Sequence, residues 1–109
     1  LGFDEIEENI NQGTGQITTF NQLGFKEYSD KPDGWYLPKN MNDVAIILET
    51  KSEERDISKQ IFIDELIKNI DIISSKYKKT IGILYNGKEI AIYKNKELIR
   101  VANKLQHMQ

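Results

Sequence analysis

Asp43-Val44-Ala45-Ile46-Ile47-Leu48-Glu49-Thr50-Lys51 is the stretch whose reading decides the fold. Its apolar run is dense in β-branched residues and too short for an ordinary helix, so it predicts a central strand. Side chains along a strand alternate between faces. Ala45, Ile47, Glu49 and Lys51 therefore share one face, and Ile46, Leu48 and Thr50 the other. An acid and an amine point the same way at the end of a buried strand. Just upstream, Asp33-Gly34-Trp35-Tyr36-Leu37-Pro38 carries turn signals at both ends with aromatic residues between. With the polar turn Lys39-Asn40-Met41-Asn42 it predicts the other strand of a hairpin.

Beyond this hairpin, over residues 56–77, Ile63, Leu66, Ile67, Ile70, Ile73 and Tyr77 recur at helical spacing. They predict an amphipathic helix packed on the sheet, capped by Ser58 or Asp56. Thr80-Ile81-Gly82-Ile83-Leu84-Tyr85 and Glu89-Ile90-Ala91-Ile92-Tyr93 flank Asn86-Gly87, a strong hairpin signal. Leu98, Val101, Ala102, Leu105 and Met108 predict a closing helix, and Phe3, Ile6 and Ile10 a first helix ending near Gly13. Between them, 16–23 reads as a loop or short helix and 25–28 as a strand-like approach. The expected class is α/β, with a mixed central sheet flanked by helices.

A chain of 109 residues with 39% hydrophobic content has room for one core and one domain, here 1–109. Fifteen basic side chains nearly balance seventeen acidic ones. A net charge of −2 excludes a strong standalone nucleic-acid binder, so phosphates would have to be held by a local patch or a partner domain. With no cysteine and one histidine, disulfides, thiolate catalysis and Cys- or His-rich metal sites are excluded. Any metal must be held mainly by oxygen. No signal peptide or long apolar run is visible, which predicts a soluble, cytoplasmic protein. A start at Leu1 without methionine suggests a piece of a longer polypeptide.

These restrictions direct attention to Asp33, Glu49 and Lys51. Phosphodiester hydrolysis needs an activated water, stabilisation of charge at phosphorus, and stabilisation of the leaving oxygen, all of which divalent metal ions supply. Mg²⁺ takes hard oxygen ligands and keeps several waters, so a pair of carboxylates suffices. Asp33 and Glu49 would be that pair, the Thr50 backbone carbonyl a further ligand, and Lys51 the group that orients the water and offsets phosphate charge. A Pro-Asp turn or a Glu-x-Lys strand end is by itself commonplace. Their joint placement around one hairpin, with a crossing helix behind, is what carries weight.

Pro32-Asp33, followed by Glu49-Thr50-Lys51 at the end of an apolar strand, resembles the signature of the PD-(D/E)xK nuclease superfamily. The stretches LGF, PDGWYLPKN, AIILETK and GILYNGKEIAIY resemble the N-terminal nuclease domains of type I restriction motor subunits. They are equally similar to those of single-chain enzymes fusing nuclease to adenine methyltransferase. The resemblance spans 23–93. It implies a restriction-endonuclease-like core and cleavage of double-stranded DNA with Mg²⁺, or with Mn²⁺ in its place. It also implies methyltransferase, helicase or specificity domains as partners in a larger enzyme. Two scissile strands make a homodimer an open possibility.

The Gln-xxx-Tyr motif of related domains is absent, since Gln60 is followed by Asp64 and Glu65 by Asn69. The Glu that the family often places on its first helix would be Glu7, with Glu8 second. Lys76, Lys78 and Lys79 are candidate phosphate contacts, although cations also gather at a helix C-terminus for dipole reasons. Trp35 and Tyr36 are candidates for base stacking or core filling. Gly13-Thr14-Gly15 lacks the rest of a phosphate loop, and His107 is expected to be exposed without a catalytic role. Two other readings stay open: a noncatalytic nuclease-fold platform for docking or DNA contact, and a repair or recombination nuclease.

Overall fold

The computed structural model describes residues 11–12, 19–25, 28 and 30–103. Six strands form one sheet in sequential order: β1 (Asn11–Gln12), β2 (Gly34–Tyr36), β3 (Ala45–Thr50), β4 (Thr80–Tyr85), β5 (Glu89–Lys94) and β6 (Glu97–Asn103). Helix α1 (Gln60–Ser74) connects β3 to β4, the parallel pair; the other neighbours are antiparallel. A parallel connection must carry the chain back along the sheet, and α1 makes that return. The domain is mixed α/β. No helix among the described residues is long and apolar enough to cross a membrane.

The apolar stripe of α1 drives its packing. Leu66, Ile70 and Ile73 are fully buried against Ala45, Ile47, Leu84, Ala91 and Tyr93, the alternate residues of three strands. The helix comes close because β4 has Gly82 beneath it: a Cβ there would stand 2.9 Å from Ile70 Cγ1. At the far end of α1, the Tyr77 hydroxyl donates to the Pro38 carbonyl at 2.5 Å, tying the helix exit to the β2–β3 hairpin. Phe20 and Phe25, edge to face with centroids 6.2 Å apart, complete this core from a turn that hydrogen-bonds to Tyr28 and Asp30. On the other sheet face Ile46, Ile83, Ile90 and Ala102 form a separate buried cluster.

Three expectations are corrected. The closing helix is absent among the described residues, because Glu97–Asn103 forms β6. The apolar residues there satisfy either period, and the turn at Lys94-Asn95-Lys96, with Asn95 at φ 51°, returns the chain alongside β5. Leu105 and Met108 lie outside the described residues, as do Phe3, Ile6, Ile10 and the Gly13-Thr14-Gly15 segment. Asn11 and Gln12, expected at the end of the first helix, instead pair with Trp35 and Gly34. Finally, α1 begins after Lys59 without a side-chain cap. Asp56 Oδ1 is taken by the Ser58 backbone N–H and hydroxyl at 2.9 and 2.6 Å, which closes a turn before the helix.

Candidate active site

β2 and β3 pair with Gly34 opposite Leu48, Trp35 opposite Ile47 and Tyr36 opposite Ile46. This register brings Asp33 to the level of Glu49, at the end of β3 where the chain leaves the sheet. Asp33 Oδ2 accepts the Thr50 backbone N–H at 2.8 Å and the Thr50 hydroxyl at 3.3 Å. The acid thereby extends the hairpin by one link in place of a backbone carbonyl. Trp35 packs against the core under α1 and Tyr36 against the opposite cluster, so both contribute to packing.

Glu49 is 3% exposed, on the face that Ala45 and Ile47 use to pack against α1. Its Oε1 accepts a hydrogen bond from the Asn69 side-chain amide. Burial is the chief reason that its carboxyl is pushed up from 4.5 to about 8. The charges of Asp33 and Glu65 and a hydrogen bond with Asp33 push the same way, and Lys51 pulls against them. Lys51, two residues on, points to the same side. Its ammonium meets Glu65 Oε2 at 2.9 Å and stands 5.1 Å from the centre of the Phe62 ring. The strand end is held from behind by the Lys51 N–H, which donates to the Tyr85 carbonyl at 2.8 Å.

Asp33, Glu49 and Lys51 thus come together at one end and on one face of the sheet, joined by Glu65 and Asn69 from α1. Sequence reasoning met these last two only as a pair at the spacing of the absent Gln-xxx-Tyr motif and gave them no role. Asn69 had a signal: it is a polar residue inside the apolar stripe of Leu66, Ile70 and Ile73. Glu65 had only its place one turn before Asn69. Glu7 lies outside the described residues. Thr50 enters the site through its N–H and hydroxyl, the contacts it makes with Asp33.

The lysine cluster stands elsewhere. Lys79 and Thr80 are at the start of β4, the end away from Tyr85 and the site, roughly 17 Å along a strand of this length. Lys76 is engaged within the chain: its ammonium donates to the Gly24 carbonyl at 2.5 Å and lies 4.9 Å from the centre of the Phe25 ring. Lys78 and Lys79 are exposed.

The donor set fits a hard divalent cation. Two carboxylates converge at the strand ends, and a third, Glu65, adds negative charge that Lys51 alone does not balance. The Glu49 carboxyl is held protonated chiefly by burial, with the charges of Asp33 and Glu65 adding to the effect, and a bound cation would offset both. Among the described residues no three His, Cys, Asp or Glu side chains stand as a ready-made metal cluster. The carboxylate pair would leave the remaining positions to water and substrate oxygens, an arrangement that Mg²⁺ accepts. Compared with protein-family models, curated proteins and solved structures, the chain matches none.

Proposed function

We propose that this domain is a Mg²⁺-dependent DNA endonuclease module with a restriction-endonuclease-like core, cleaving phosphodiester bonds as part of a larger restriction–modification enzyme. The observation that carries the reading is the convergence of Asp33, Glu49 and Lys51 at one end of β2 and β3, on the face beneath α1. Asp33 and Glu49 would hold the metal, and the Thr50 carbonyl is the further ligand proposed from sequence. When bound, the metal supplies charge neutralisation at the phosphate and acidifies water.

Lys51 contributes a compact positive charge carried by a stem that lies along Phe62. While one N–H stays on Glu65, the two others of its ammonium would donate to the attacking water or to a phosphate oxygen. Water adds to phosphorus, the bond to the leaving sugar oxygen breaks, and that oxygen takes up a proton. Mn²⁺ would replace Mg²⁺ because it accepts the same oxygen donors. Double-stranded DNA is the proposed substrate, with methyltransferase, helicase or specificity domains of the same enzyme supplying most of the phosphate grip that a net charge of −2 does not.

The test is Mg²⁺-dependent cleavage of a linear duplex, with folding verified by circular dichroism. Asp33→Asn, Glu49→Gln and Lys51→Met are each expected to lower the rate by about 100-fold or more, in line with the loss of a charge-stabilising group. Wild-type activity in all three variants would remove the reading. A noncatalytic platform is the rival reading, favoured by one observation: each of the three residues already has a partner within the chain, Thr50, Asn69 and Glu65 respectively. That reading expects no uptake of millimolar Mg²⁺ or Mn²⁺ and no cleavage by wild type.

A further inference from the structure

Helix α1 sets two polar side chains over Glu49 of β3 and Lys51 just past its end. Asn69 donates to Glu49 Oε1, and Glu65 pairs with Lys51. Glu65 and Asn69 are one helical turn apart, an advance of about 6 Å, while Glu49 and Lys51 are two strand residues apart, about 6.7 Å. The two spacings match. The order is reversed because α1 runs back across the sheet: the earlier helical residue meets the later strand residue.

Asn69 is 4% exposed and occupies a position of the apolar stripe, with Leu66 and Ile70 fully buried beside it. An amide in such a place costs about 1–3 kcal/mol unless hydrogen-bonded, and an aliphatic side chain would pack there without that cost. What the amide adds is its bond to the Glu49 carboxyl. Glu65 is half exposed, so its bond to Lys51 does little for stability. What it does is hold the ammonium in place over the Phe62 ring.

We propose that Asn69 and Glu65 are positioning residues of this site: Asn69 fixes the Glu49 carboxylate for metal binding, and Glu65 fixes Lys51 for the hydrolytic step. The inference rests on the nuclease reading, and the two can fail separately. Groups that orient metal ligands are worth about 10- to 100-fold in metal affinity or activity.

In the full chain, titrated with Mn²⁺ alone by calorimetry and with folding verified by circular dichroism, Asn69→Leu is expected to bind about 10-fold more weakly. Asn69→Ala carries the same expectation for binding should the larger side chain prevent folding. Glu65→Gln is expected to leave Mn²⁺ affinity within threefold and to lower kcat on a linear duplex about 10-fold with KM unchanged. Wild-type Mn²⁺ affinity in both Asn69 variants, or wild-type kcat in Glu65→Gln, overturns the role assigned to that residue. If wild type binds Mn²⁺ in an Asn69-dependent way yet cuts no DNA, the role of Asn69 stands and the nuclease reading falls. If wild type takes up no Mn²⁺, both fall.

Discussion

Glu49 concentrates the tension of this fold in one side chain. Burial and its acidic neighbours hold its carboxyl protonated up to about pH 8, against 4.5 in the unfolded chain. The folded state therefore keeps a proton that the unfolded state releases above pH 4.5, and stability falls as pH rises through the window from 4.5 to about 8. Below that window the contribution is complete, and above it the loss is complete. Urea titrations of the metal-free chain at pH 5, 6, 7 and 8 are expected to show this decline, with a slope approaching ~1.4 kcal/mol per pH unit for one full proton. Glu49→Gln, which carries the neutral form at every pH, is expected to flatten the profile. An unchanged slope in that variant would place the titration elsewhere.

At the scale of elements, α1 and its contact with β4 decide whether a site exists at all. The helix delivers Glu65 and Asn69 only because Gly82 lets it approach the sheet. Ile70, which a new Cβ would strike, is fully buried. Gly82→Ala is expected to destabilise by about 1–3 kcal/mol, the range for overpacking a dense core, and Gly82→Val by more. Denaturation midpoints check this, and no loss in either variant would mean that the helix shifts at little cost. The loop after β3 is secured separately. The buried Asn86 donates to the Arg55 carbonyl at 2.6 Å and accepts the Lys88 and Glu89 N–H groups at 3.0 and 2.8 Å. One side chain thus holds the loop next to Lys51 against the β4–β5 turn.

For the molecule as a whole, the site lies where four elements meet: the start of β2, the end of β3, α1 and the loop leaving β3. A ligand that binds there must also stabilise the fold, because the unfolded chain cannot assemble the same residues. At a Mn²⁺ concentration ten times the dissociation constant, linkage adds about 1.4 kcal/mol. For a domain of this size the melting temperature is then expected to rise by roughly 5 °C or more. Asp33→Asn and Glu49→Gln are expected to abolish that rise. A metal-induced shift that persists in both variants would locate binding at another surface.

Local pattern by itself determined the central strand, the face shared by Ala45, Ile47, Glu49 and Lys51, the stripe of α1 and the Asn86-Gly87 hairpin. Period and turn chemistry are properties of neighbouring residues. It did not determine the state of Glu97–Asn103, whose apolar residues satisfy either period until β5 offers an edge to pair with. The placement of Asp33 rested on the register of β2 with β3, a long-range choice made by packing Trp35 against the core under α1 and Tyr36 against the cluster on the other face. Glu65 and Asn69 became part of the site only through the crossing of α1 over β3. The triad of Asp33, Glu49 and Lys51 was thus legible as residues, while its protonation, partners and shape were decided by the tertiary structure. Burial and charge proximity come into being only when distant segments meet.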